Sequence, residues 1–185
     1  MSKWVNTSDF KPRKYTCGFC GALVGSNTGY YDRDHPDIKE IYICPNCERP
    51  TYFDGLLQYP APLFGEEVKD LPEEIEKLYN EIRACTGARA YTACVLACRK
   101  LLMHIAVEKG ASQGLSFKEY VEYLAEKHYT PPEGEEWVDH IRKKSNEANH
   151  EIVIMGIDDA TNLITFVEML LKFIYEFKGR LKPKL

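Results

Sequence analysis

Hydrophobic and polar positions follow two different periods along this chain, and the change falls near residue 70. Before it, short β-branched and aromatic runs at residues 22–24, 41–43 and 51–53 predict strands. Turn-rich stretches at 25–29 and 32–37 separate them. Residues 56–71 hold Pro60, Pro62 and Gly65 without a clear period and read as a linker.

After it, apolar residues return every three to four positions, the period of an amphipathic helix. Leu71-Pro-Glu-Glu opens a first helix, with Pro72 suited to the first turn and Glu73 and Glu74 favourable to the dipole. Its stripe is Ile75, Leu78, Tyr79 and Ile82, and Gly87 lies beyond its end. A second helix over 88–109 carries Tyr91, Cys94, Val95, Cys98, Leu101, Leu102 and Ile105, and Gly110 stops it. Ser116-Phe-Lys-Glu119 has the form of a capping box and starts a third, with Phe117, Tyr120, Val121 and Leu124 inward. No Gly or Pro falls between Gly134 and Gly156, so a fourth helix can run through that stretch. Val138, Ile141, Ser145, Ala148 and Ile152 would share one face there, with Arg142, Asn146 and His150 on an adjoining one. Asp158 is the expected cap of a last helix with Leu163, Val167, Leu170, Ile174 and Phe177 as its stripe. The pattern predicts a mainly α chain, a bundle of about five helices over 70–185. A small β ribbon over 1–60 precedes it, with 61–69 as linker.

Cysteine spacing gives the ribbon a chemistry. Cys17-Gly-Phe-Cys20 and Cys44-Pro-Asn-Cys47 are two Cys-x-x-Cys turns, and two such turns can close a tetrahedral four-sulfur site. The expected metal is structural zinc on Cys17, Cys20, Cys44 and Cys47, with a rubredoxin-like iron as the alternative. Four cysteines leave no open position for substrate, which argues against a catalytic ion. His35 sits in a charged loop and reads as a surface residue. Phe19, Tyr30, Tyr31, Tyr42 and Phe53 could stack on bases, but such rings more often form the core of a small ribbon. Cys85, Cys94 and Cys98 read as small core residues, since no His falls in phase with them.

Composition and charge narrow the partners. The 185 residues are 44% hydrophobic and 28% charged, which is ordinary for a globular chain. A net charge of −4 excludes a general attraction to nucleic acid. The basic runs at 11–14, 142–144 and 178–184 read as solvated charge. No apolar run approaches a membrane span, and Met-Ser-Lys-Trp-Val-Asn lacks the apolar core of a signal peptide. With seven cysteines, four of them in a metal pattern, the expected setting is a reducing cytoplasm.

Three stretches in the helical half carry a family resemblance: Leu71-Pro-Glu-Glu-Ile with Tyr79-Asn-Glu81, Ala97-Cys-Arg99-Lys-Leu-Leu102, and Ile141-Arg142 with Asn146-Glu-Ala-Asn-His150. Over about residues 68–180 they resemble a prokaryotic and phage family of unknown function, found also with type I restriction subunits and defence genes. That family is similar to the HEPN group of helical domains, often preceded by a zinc ribbon. The resemblance implies a HEPN-like helical bundle and a homodimer formed through it.

Active HEPN proteins are metal-independent ribonucleases with an Arg, four to six residues, then a His. Such a His can move the proton of an RNA 2′-hydroxyl while Arg steadies the phosphorane. On this chain His150 and Asn146 match. Arg142 lies outside the window, seven residues intervening, and Lys144 lies inside it, with five. The expected function is therefore a non-catalytic, dimerising adaptor binding a protein or nucleic acid in a defence or phage context. The alternative is an endoribonuclease using His150, Asn146 and Arg142 or Lys144 at a dimer interface. A third reading, a nucleotide-binding partner subunit, follows from fold analogy alone.

Overall fold

A computed structural model of the protein describes residues 4–130 and 154–180. They fall into two compact units: residues up to 63 with 86–89, and residues 64–85 with those from 90 onward.

The first unit is built of seven short strands: β1 (Trp4–Thr7), β2 (Arg13–Thr16), β3 (Leu23–Ser26), β4 (Gly29–Asp32), β5 (Lys39–Ile43), β6 (Pro50–Asp54) and β7 (Leu57–Tyr59). Five form one antiparallel sheet in the order β1-β4-β5-β6-β7, and β2 pairs with β3 in a second sheet. The register aligns Tyr31, Glu40, Phe53 and Gln58 across four strands, and the alternate positions Tyr30, Ile41, Tyr52 and Tyr59 on the opposite face. The first face is the core side. Tyr42 and Phe53 are buried there with Tyr15 of β2, and Phe10 stacks on Tyr42 at 4.9 Å between ring centroids. Tyr15 meets Phe53 edge-on at 5.3 Å.

Arg13 ties the two sheets together. Its guanidinium pairs with the buried Glu40 carboxylate, donates to the Gly55 carbonyl at 2.9 Å, and lies 3.8 Å over the Phe53 ring. A carboxylate this deep is tolerable because it is both paired and bonded. Gly29 marks a close strand approach, since a Cβ there would sit 1.8 Å from the Ile41 carbonyl oxygen.

In the second unit four helices surround an apolar core: α1 (Glu73–Gly87), α2 (Tyr91–Glu108), α3 (Phe117–Glu126) and α4 (Ile157–Leu171). The last continues through a π turn, Lys172–Glu176, into a final helical turn, Phe177–Arg180. α2 packs on α3 and α4, burying Cys94, Val95, Cys98, Leu101, Leu102, Ile105 and Ala106. Ser116 caps α3 as its sequence predicts: its hydroxyl accepts the Glu119 N–H and the Glu119 carboxylate accepts the Ser116 N–H.

The chain is not a bundle of about five helices. Among the described residues there are four helices beside seven strands in two antiparallel sheets. The helix expected around 138–152 lies outside the described residues. The missed strands β1, β2, β4 and β7 have only three or four residues each, too few to show a period of two, and β4 lies between the two turn-rich stretches. Their pairing partners define them.

Two smaller expectations change as well. Gly156, not Asp158, is the N-cap of α4, and its N–H donates to the Asp159 carboxylate at 3.1 Å. Phe177 is 49% exposed rather than part of the stripe. The π turn just before it breaks the 3.6-residue phase.

Residues 64–68, expected to be linker, are bonded into the second unit. Lys172 bridges the Glu66 and Glu168 carboxylates at 2.6 Å each, and Arg83 donates to the Gly65 carbonyl at 3.0 Å. Val68 is buried in the same core.

Leu102 is wholly buried at the centre of that core. Leu102→Ala should cost about 3 kcal/mol, within the range found for buried leucines. Urea unfolding followed by helical circular dichroism measures this directly.

Candidate metal centre

Each Cys-x-x-Cys is the turn of a hairpin. Residues 17–22 join β2 to β3 and residues 44–49 join β5 to β6, with the flanking pairs Thr16–Leu23 and Ile43–Pro50 in matching register. The backbone bonds repeat from one turn to the other. Cys17 N–H donates to the Ala22 carbonyl at 2.9 Å and Cys44 N–H to the Arg49 carbonyl at 3.0 Å. Gly21 N–H returns to the Cys17 carbonyl and Glu48 N–H to the Cys44 carbonyl, both at 2.9 Å. The residue after each second cysteine takes a left-handed conformation, Gly21 at φ 69° and Glu48 at φ 59°. Glycine reaches that region freely; glutamate does so at a cost of about 1 kcal/mol.

These two turns bring the four sulfurs of Cys17, Cys20, Cys44 and Cys47 within 4.8 Å of one another. Cys17 and Cys47 are 3.7 Å apart, and Cys20 and Cys44 3.8 Å. A tetrahedron with metal–sulfur arms of about 2.3 Å has edges of about 3.8 Å, so the spacing fits a four-coordinate ion. It is far too long for disulfides, and all four cysteines are free. Among the described residues this is the group of His, Cys, Asp or Glu side chains with such geometry.

Electrostatics point the same way. The Asn46 amide and the Ala22 N–H pull the Cys20 thiol down to about 6. The Arg49 N–H favours the Cys47 thiolate, but burial and the other three sulfurs outweigh it and push Cys47 up to about 12. Four thiols this close cannot all ionise by themselves, whereas a divalent cation stabilises every thiolate at once. Tyr15 lies nearby. Burial, reinforced by the sulfurs of Cys44, Cys17 and Cys47, pushes its phenol up to about 12, so it stays neutral.

Sequence reasoning missed Asn46, whose side-chain nitrogen donates to the Cys20 sulfur at 3.4 Å. Its place inside the second Cys-x-x-Cys was a signal, but only the facing of the turns reveals the bond. Of the aromatics, Tyr42 and Phe53 are core, while Phe19 and Tyr30 stay exposed. His35 is a surface residue 3.7 Å from the Asp32 carboxylate. Cys94 and Cys98 are buried core residues. The hydrogen bond that the Cys98 thiol donates to the Cys94 sulfur, together with burial, holds Cys98 well above its ordinary value, so it is inert. Arg142, Lys144, Asn146 and His150 lie outside the described residues. No helix among the described residues is long and apolar enough to cross a membrane.

A Cβ on Gly21 meets nothing within 4 Å, so Gly21→Ala tests backbone strain alone. It should lower stability by about 1 kcal/mol, and Glu48→Gly should raise it by a similar amount. Thermal unfolding of the metal-loaded protein measures both.

The family model described as Domain of unknown function (DUF4145) matches residues 80–184, more than half the chain. No curated protein and no solved structure matches it.

Proposed function

The chain belongs to the DUF4145 family, and from that premise we propose that it is a non-catalytic binding module whose N-terminal ribbon is held by structural zinc. The four-sulfur geometry carries this reading. All four positions of a tetrahedral ion would be taken by Cys17, Cys20, Cys44 and Cys47, which leaves none for a substrate or a water. Zinc on four thiolates is favoured over iron because it needs no redox partner and suits a purely structural role.

The ribbon precedes the family's matched span, so it is an addition to the shared helical part. Its outer sheet face offers a surface for a partner: Trp4, Tyr30 and Tyr59 are each more than a third exposed on that face. On that face Asp54 stands opposite Lys39, so the face is not basic, and the chain as a whole carries −4 before the site's own charge of about −2 is added. A phosphate backbone would meet that charge unfavourably, so the favoured partner is a protein rather than nucleic acid. Self-association through the helical unit and a defence or phage setting belong to this proposal too. Their support is the sequence resemblance.

Elemental analysis of the purified protein tests the core of it. One zinc per chain is expected, and Cys44→Ser should bring the metal content close to zero. Visible absorption from bound iron would overturn the choice of metal. Chelation of the wild type should abolish the ribbon's ordered aromatic signal in near-ultraviolet circular dichroism while leaving helical ellipticity nearly intact, because all four cysteines of the site lie in the ribbon. Loss of most helicity would show that the two units do not fold independently.

A further inference from the structure

The two cysteine turns match in backbone but not in side chains. Phe19 and Asn46 occupy the same place, just before the second cysteine of each turn. The Phe19 ring is 41% exposed with the Arg49 guanidinium 5.2 Å over it, and it has no polar atom to offer a sulfur. Asn46 reaches across to the opposite turn, and its amide nitrogen donates to the Cys20 sulfur at 3.4 Å. The backbone donor near the other end of that turn serves Cys17, which accepts the Phe19 N–H at 3.4 Å.

Exposure differs among the four cysteines in a way that gives this bond a role. Cys17 and Cys44 are wholly buried, Cys47 is half-buried, and Cys20 is exposed. A chelator, an oxidant or an alkylating agent therefore meets the cluster first at Cys20. A donated N–H lowers the electron density that makes a thiolate nucleophilic, and it also ties Cys20 to the turn that holds Cys44 and Cys47.

We propose that Asn46 is a positioning residue that latches the exposed Cys20 onto the ion, so that this one cross-turn bond sets how slowly the site releases its metal. The inference builds on the zinc reading above. It differs from a general packing role because it names which sulfur leaves first.

The test uses zinc-loaded full-length protein, as wild type, Asn46→Ala and Asn46→Asp. Each is challenged with a chromogenic zinc chelator and, in parallel, with a short pulse of N-ethylmaleimide followed by mass mapping of the first cysteine modified. Asn46→Ala should release zinc about tenfold faster, the usual scale for losing an outer partner of a metal ligand. Asn46→Asp, of nearly the same shape, should be faster still, because a carboxylate repels the thiolate. In both variants Cys20 should be the first of the four site cysteines to be alkylated, whatever the rate at the separate thiol Cys85. Release from Asn46→Ala at the wild-type rate would overturn the proposal, and so would first modification at Cys47. If Asn46→Ala does not hold zinc, the comparison of wild type with Asn46→Asp decides on the same two readouts. A wild-type chain without zinc would end the metal reading before any variant is compared, whereas equal release from zinc-loaded chains would end the latch alone.

Discussion

The convergence of four sulfurs on one point is the constraint around which the first unit is arranged. The strands of that unit have three to five residues each, and its buried apolar cluster is five residues with three partly buried neighbours. A core of that size is too small to hold some sixty residues by burial alone. Each cysteine pair closes a hairpin, so a bound cation would join β2–β3 to β5–β6 at their ends. Arg13 does the corresponding work along the strands, with its charge on Glu40 and its plane on Phe53. The two ties are complementary: one depends on thiolates being deprotonated, the other on a paired and bonded charge.

The second unit is held differently. α2 presents a nearly continuous buried face, and its neighbours α3 and α4 fill it with Phe117, Tyr120, Leu124, Leu163, Phe166 and Leu170. Its described part is held by apolar area and close packing. Polar groups serve at its margins. Lys172 between Glu66 and Glu168 pins residues 64–68 to the helices, and both carboxylates raise the lysine's affinity for its proton. A chain whose first unit would rest on a bound cation and whose second rests on packing could lose the first while keeping the second.

The amino-acid order alone settled several features, for reasons of local physics. The two Cys-x-x-Cys turns, the Ser116–Glu119 cap, the stripes of α2 and α3, and the stop at Gly110 are encoded within a few residues of where they act, whereas Gly87, expected beyond the end of α1, is its last residue. Side-chain chemistry at short range decides them. Tertiary structure alone decided the rest. Strands as short as Leu57–Tyr59 exist because a neighbour supplies their hydrogen bonds, and Phe177 leaves its stripe because a π turn shifts the helical phase. Asn46 became a partner of Cys20, 26 residues away in sequence, only when two turns were folded face to face. Local sequence determines which residues can turn, cap or ligate; which of them meet is set by long-range pairing, whose energy no short window of the chain contains.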